Sequence, residues 1–260
     1  MSSSTPILSA SDLHVSYGPF RVLENVSLNI YEGEALAVIG ANGAGKSTLA
    51  RALSGIIDVA DGHIRLDGVE ITNWSANQIF RAGMTHLPEG RGIFQSMSVA
   101  ENLRLAVRTL PNRSSRSEAL DRIFETFPIL NKRRNQTAGT LSGGEQQMLS
   151  LARALAHWPK VLIADEMGLG LAPMIIDQLY EQLDKARQQG LTIMLIEQYL
   201  DRALAFADQA VVFDHGSIAW SGPVADADVN AISRRYMGQA TLHEGPIRGE
   251  TEPKGSAIHK

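Results

Sequence analysis

The sequence predicts an α/β fold, on three observations. The apolar run Ala35-Leu36-Ala37-Val38-Ile39 leads directly into Gly40-Ala41-Asn42-Gly43-Ala44-Gly45-Lys46-Ser47-Thr48, which satisfies the phosphate-loop pattern G-x-x-x-x-G-K-[ST]. A second apolar run, Val161 to Ala164, ends in Asp165 and Glu166. A third, Thr192 to Ile196, follows the amphipathic stretch Ile175 to Gln189, which Gly190 stops. Such near-continuous apolar runs read as strands buried on both faces of a parallel sheet. Acids at the C-terminal end of a strand of this kind face the crevice where ligands bind.

Each motif brings its own chemistry. Thr48 to Ser54, with Gly55 behind it, reads as the start of a helix and its glycine stop. A helix beginning at Gly45 aims its unpaired N–H groups and positive dipole end at phosphate oxygens, and the glycines let the backbone come close. Gly40 through Thr48 are therefore the candidate phosphate cradle. Lys46 would reach the terminal phosphates, and the Ser47 hydroxyl would help to hold Mg²⁺. Asp165 would act on the same ion through its water shell, while Glu166 would polarise the attacking water.

A further motif, Leu141-Ser142-Gly143-Gly144-Glu145-Gln146-Gln147, lies between these two. Ser142-x-x-Glu145 is a capping box opening a helix that runs to Ala156, and the glycines beside the cap expose backbone N–H groups to an anion. Ser98-x-x-Glu101 and Ser115-x-x-Glu118 have the same pattern and read as plain structural caps. The order of the three motifs resembles the nucleotide-binding subunits of ABC transporters, over residues 7 to 238. That resemblance implies an ABC-type P-loop ATPase with a RecA-like mixed sheet, an antiparallel β subdomain and a helical signature subdomain at about residues 93–158. It implies ATP and Mg²⁺ as ligands. It also implies that Ser142, Gly143 and Gly144 bind the γ-phosphate held by an opposite subunit, a second ATPase or a copy of this chain packed head to tail. Two integral-membrane permeases and, indirectly, an extracytoplasmic solute-binding protein complete the implied assembly, with this chain peripheral on the cytoplasmic face of the membrane.

Three more positions follow from the resemblance. Tyr17 falls where the family stacks an aromatic ring on adenine; the alternative is a tyrosine that packs at a strand end. Glu89, in Pro88-Glu89-Gly90-Arg91, occupies the place of the glutamine that links Mg²⁺ to the transmembrane partner. In Glu197-Gln198-Tyr199, Gln198 stands where most members carry a switch histidine, and an amide cannot take up a proton charge. Pro88-Glu89-Gly90-Arg91-Gly92-Ile93-Phe94, Gly168-Leu169-Gly170-Leu171-Ala172-Pro173 and Glu197-Gln198 together resemble the branched-chain amino acid importers, a branch that also takes up urea and short amides, and within it the second of the two ATPase subunits, the one with Glu-Gln at this switch. Met167 and Gly168 replace a usual proline and small hydroxyl residue, and Gly168 loosens the turn behind Glu166. Ala172 replaces an aspartate common elsewhere in the family.

Composition fits and excludes. The 260 residues, 44% hydrophobic and 20% charged, suffice for one large core or a core with a satellite. A net charge of −4 gives no footprint for nucleic acid. No cysteine is present, so disulfide and thiolate chemistry are excluded. No apolar run approaches the roughly 18 residues of a spanning helix, and no leader opens the chain at Met1. Ile7 to Ile39 reads as strands, Ile64 to Ile71 as a hairpin about Asp67-Gly68, and Val211 to Trp220 as a closing hairpin. Val99 to Leu110 and Ser117 to Phe127 have helical spacing. Lys132-Arg133-Arg134 reads as a solvated helix end, His63, His157, His215 and Met174 form no metal set, and 239–260 reads as a disordered tail. A soluble ABC ATPase that remodels ribosomes or DNA, and a nucleotide-binding module with little turnover, are the competing readings.

Overall fold

The computed structural model describes residues 5–198, 200–229 and 232, so Tyr199 and the tail at 239–260 lie outside the described residues. Two sheets organise the chain. Strands β1 (Leu8–Tyr17), β2 (Phe20–Ile30), β4 (Asp61–Leu66) and β5 (Val69–Glu70) form an antiparallel sheet in the order β2-β1-β4-β5. Its β4–β5 connection is the expected turn, with Asp67 and Gly68 both at positive φ. The main sheet has the order β10-β9-β3-β8-β7-β6 and comprises β3 (Ala35–Gly40), β6 (Met84–Leu87), β7 (Val161–Asp165), β8 (Thr192–Glu197), β9 (Gln209–Asp214) and β10 (Ser217–Pro223). Its four pairings from β9 through β6 are parallel, and β10 returns antiparallel as the closing hairpin.

The apolar runs are continuous because the main sheet is covered on both faces. Along β3, Ala35, Ala37 and Ile39 join one apolar cluster, whereas Leu36 and Val38 join another. This is the two-residue alternation of a strand applied to a core on either side. The second cluster contains Leu49 and Leu53 of α1 (Lys46–Leu53) and the inner residues of β1 and β2. The first receives α3 (Val99–Ala106), α6 (Gly143–Leu155), α7 (Pro173–Gln188) and α8 (Leu200–Phe206). The described residues also form α2 (Ala76–Ala82), α4 (Arg113–Thr126) and α5 (Pro128–Lys132). Between β6 and β7 the chain leaves the sheet and builds α3 to α6 in succession.

Two of the three expected capping boxes form. Ser98 N donates to Glu101 Oε2 at 2.7 Å, and Ser142 N donates to Glu145 Oε2 at 2.9 Å. The third does not form, because α4 begins two residues earlier than Ser115. Asn112 accepts the Ser115 N–H at 2.9 Å, and Glu118 accepts from the Ser114 hydroxyl instead. Asn caps a helix as well as Ser does, and here it comes first along the chain. The basic cluster is a solvated helix end with local partners: Arg133 lies 3.4 Å from Glu145 and Arg134 stacks on Phe124. Among the described residues no group of three His, Cys, Asp or Glu is placed to hold a metal by itself. No described helix is long and apolar enough to cross a membrane.

Candidate functional site

Strands β3, β8 and β7 lie side by side, and their C-terminal ends deliver Gly40, Glu197 and Asp165 to one edge of the sheet. From that edge the loop turns into α1 with Gly43 at φ +80° and Gly45 at φ +109°, values that side chains with a β-carbon avoid. Lys46 is 4% exposed, and its Nζ donates to the carbonyls of Gly40 at 2.9 Å and Ala41 at 3.1 Å. Burial lowers the Lys46 pKa, while the nearby Glu166, Asp165 and Glu197 carboxylates oppose that shift. Ala41, Asn42 and Gly43 are exposed at the loop's outer rim; Ala44, Gly45 and Thr48 are buried, with Ser47 half-buried.

The acids stand opposite this loop. Ser47 Oγ donates to Asp165 Oδ1 at 3.2 Å. Burial raises the Asp165 pKa, assisted by the Glu166 and Glu89 carboxylates and opposed by the Ser47 bond and Lys46. Glu89 itself is exposed. Glu166 sits at φ +47°, a backbone region rarely occupied by a residue with a long side chain, and its N–H is tied to the Ile196 carbonyl at 3.0 Å. Its carboxylate accepts from Gln198 Nε2 at 2.7 Å and lies 3.9 Å from Lys46 Nζ. The turn that follows is closed by bonds from Leu169 N to the Glu166 carbonyl and from Leu171 N to the Gly168 carbonyl, with Met167 buried. The expected loosening at Gly168 is thus met by two turn hydrogen bonds.

The other expected positions make no hydrogen bond or ion pair with this cluster among the described residues. Tyr17 ends β1 opposite Phe20, is 42% exposed and belongs to neither apolar cluster. Ser142, Gly143 and Gly144 open α6, and no hydrogen bond or ion pair among the described residues joins them to the 40–48 loop. Gly144 is required for packing, since a β-carbon there would stand 2.6 Å from the Ile175 side chain.

Several contributors were not legible as such. Gly216, read only as part of a hairpin turn, braces the phosphate loop: its N–H donates to the Ala44 carbonyl at 2.9 Å, and its carbonyl accepts from Glu24 N at 2.9 Å. At φ +83° a β-carbon on it would lie 2.1 Å from the Val22 carbonyl oxygen. Gly216→Ala is therefore expected to destabilise the chain by roughly 2–4 kcal/mol in urea unfolding, from left-handed strain plus the displaced contact, and to weaken nucleotide binding in parallel. Arg91, two residues after Glu89, donates to Gln146 and lies over Gly143. Tyr180 of α7 donates to Glu197 at 3.3 Å, a contact between distant segments that no local pattern signals.

Residues 23–168 match the ABC transporter family. The chain belongs to this family. Among its ABC transporter relatives, the branched-chain amino acid transport ATP-binding protein BraG of Pseudomonas aeruginosa is 42% identical over 212 residues, covering 82% of this chain and 91% of BraG. A probable branched-chain amino acid transport ATP-binding protein, LivF of Archaeoglobus fulgidus, is 35% identical over 81% of this chain and 89% of its own length. A solved ATP-binding cassette of an ABC transporter in its ADP conformation superposes with a TM-score of 0.79 at 25% identity, covering 89% of this chain and 99% of that one. The chain is an ATP-binding cassette and an ATPase of this family, with the two sheets and the helical layer described above.

Proposed function

We propose that this chain is the ATP-hydrolysing motor subunit of an importer for branched-chain amino acids or related small polar solutes such as urea or amides. The observation that carries the hydrolytic reading is the Glu166 carboxylate, held by Gln198 and facing Lys46 beside the Ser47–Asp165 pair. A carboxylate fixed in this way is suited to polarise a water. Gln198 holds it without an imidazole, so the missing histidine does not leave the base unsupported. Similarity to BraG over most of both chains supports the importer class.

The donor set also fits a magnesium ion. Ser47 Oγ and Asp165 Oδ1 are hard oxygens 3.2 Å apart, and magnesium commonly takes one or two protein oxygens and completes its shell with water and phosphate. When bound, the ion would neutralise charge on the phosphates. The chain's own residues do the rest: the glycine-rich loop binds, Lys46 exchanges its backbone carbonyls for phosphate oxygens, and Glu166 receives the proton of water. Tyr17 offers an exposed ring for adenine. Ser142 to Gly144, which share no hydrogen bond or ion pair with their own loop among the described residues, serve the nucleotide of a second ATPase chain or a second copy packed head to tail. ATP does mechanical work here through its preference for the closed pair. Glu89 and the segment after it face two permeases, placing the chain on the cytoplasmic side of the membrane.

Copurification of the tagged chain from membranes, followed by partner identification and ATPase assay, tests this reading. The expected result is a second ATPase and two polytopic permeases, with turnover stimulated by a solute-binding protein. Recovery of ribosomes or DNA-repair proteins without a permease would overturn the transport assignment and keep the motor.

A further inference from the structure

Between α4 and the last turn of α6 the helical layer holds a pocket of about 210 Å³, and none of the residues lining it belongs to the nucleotide site. An apolar cavity of roughly 150 Å³ holds one benzene molecule, so this pocket suits a solute a few atoms larger. Its walls divide by chemistry. Ile123, Phe127 and Leu155 are buried and give it an apolar floor, while Glu118 and Arg122 are exposed and bring opposite charges to its mouth.

Glu118 and Arg122 stand four residues apart on α4, the spacing at which an acid and a base on one helix face commonly pair. No ion pair joins them, and neither has another charged partner among the described residues. Arg122 lies instead over the Trp158 indole, its guanidinium carbon 5.3 Å from the ring centroid, and Glu118 Oε1 accepts from the Ser114 hydroxyl at 2.7 Å. The Trp158 side of the pocket is held in place. That residue has φ +49°, uncommon for a bulky side chain, and its N–H donates to the Leu155 carbonyl at 2.8 Å. The neighbouring His157 has its Nε2 3.0 Å from the Thr109 hydroxyl and its ring edge-to-face with Phe80 at 4.7 Å. A ligand that answers both charges and the floor carries an anion and a cation close together and a short aliphatic chain.

We propose that this pocket binds a small α-amino acid with a branched aliphatic side chain, its carboxylate on Arg122 and its ammonium on Glu118. The planar guanidinium can give a carboxylate two parallel bonds, and its N–H groups have no acceptor among the described residues. The aliphatic chain lies against Ile123, Phe127 and Leu155 and leaves water. A plain carboxylate would leave Glu118 unanswered, and a plain amine would leave Arg122 so. Helix α6 joins the pocket to the motor, since Leu155 at its end lines the pocket and Ser142 to Gly144 open its start. Binding stands on the pocket alone; its meaning as sensing of the imported solute rests on the importer reading.

Equilibrium dialysis of the full chain with labelled L-leucine tests the site, with isocaproate, which lacks the ammonium, leucinamide, which lacks the carboxylate, and glycine, which lacks the aliphatic chain, as competitors. The expected result is saturable binding of one leucine per chain, with each competitor weaker than leucine by roughly tenfold or more. Arg122→Gln and Glu118→Gln, both at exposed positions, are each expected to weaken leucine binding by roughly tenfold, with thermal melting and ATP binding kept. No saturable leucine binding in the parent, or binding that both variants leave at parent strength, would overturn the site. Isocaproate or leucinamide competing as well as leucine would overturn the amino acid assignment, because one of the two charges would then have no part. The readout is independent of the copurification: a chain that recovers no permease can still bind leucine, and one that recovers both can fail to, so the two readings fail separately.

Discussion

Glu166→Gln is expected to lower steady-state phosphate release by roughly 10²–10⁴-fold, the contribution of a positioned general base, while leaving nucleotide binding intact. The substitution keeps size and shape, so an amide oxygen still accepts the Gln198 bond measured at 2.7 Å. Lys46 keeps its other partners, the carbonyls of Gly40 and Ala41, and the loop that carries it is unaltered. What is lost is proton affinity at one atom. Titration calorimetry with ATP should give a binding constant within a few-fold of the parent, and gel filtration with Mg·ATP should show the variant held as a closed pair. Parent-like phosphate release would remove Glu166 from the role of base.

Glu197→Gln is expected to stabilise the fold at alkaline pH and to change the shape of the pH–stability curve. Burial is the largest cause that lifts the Glu197 pKa from 4.5 to about 7, with Glu166 and Asp165 adding to it. Between those values the unfolded chain has lost this proton and the folded chain still holds it. Stability therefore falls as pH rises from 4.5 to about 7, then carries a constant penalty on the order of 3 kcal/mol above that range. His86 has the opposite sign: burial lowers its pKa from 6.5 to about 4, so the unfolded chain binds the extra proton and stability rises across that interval. In the parent the two slopes oppose each other over most of the acid range. In Glu197→Gln the His86 rise stands unopposed, and urea unfolding at pH 8 should show a more stable protein than the parent. A variant less stable than the parent at pH 8 would mean that the Glu197 charge is compensated in the fold.

Glu197 directly precedes Gln198, whose side chain donates to Glu166. A group that costs stability when charged and sits one residue from the Glu166 contact is the kind of compromise expected where a site is held against the preference of the fold. Glu166 shows a second such cost in its positive φ, maintained by the Ile196 carbonyl and the surrounding bonds.

Much of the site was readable from local pattern alone. The 40–48 loop, Asp165 and Glu166 were legible because their chemistry depends on residues adjacent in the chain: glycines that reach positive φ, a helix start behind them, and an apolar strand that ends in acids. The capping boxes at Ser98 and Ser142 were legible for the same reason, and the failure at Ser115 was a contest between two good caps that only the packed helix resolves in favour of Asn112. The continuity of β3, β7 and β8 as apolar runs announced a sheet covered on both faces.

Tertiary structure decided what joins across the chain. Strand order placed β8 between β3 and β7, and so brought Gln198 and Lys46 to Glu166. The closing hairpin put Gly216 under Ala44, and α7 set Tyr180 against Glu197. Each of these contacts links residues far apart in sequence, whose separation carries no periodicity and whose side-chain types have many other uses. Local propensity and spacing fix which segments can bind phosphate or carry an acid. The pairing of strands and the packing of helices over them fix which of those groups meet, because only the burial of shared apolar surface selects one arrangement among the many that local structure allows.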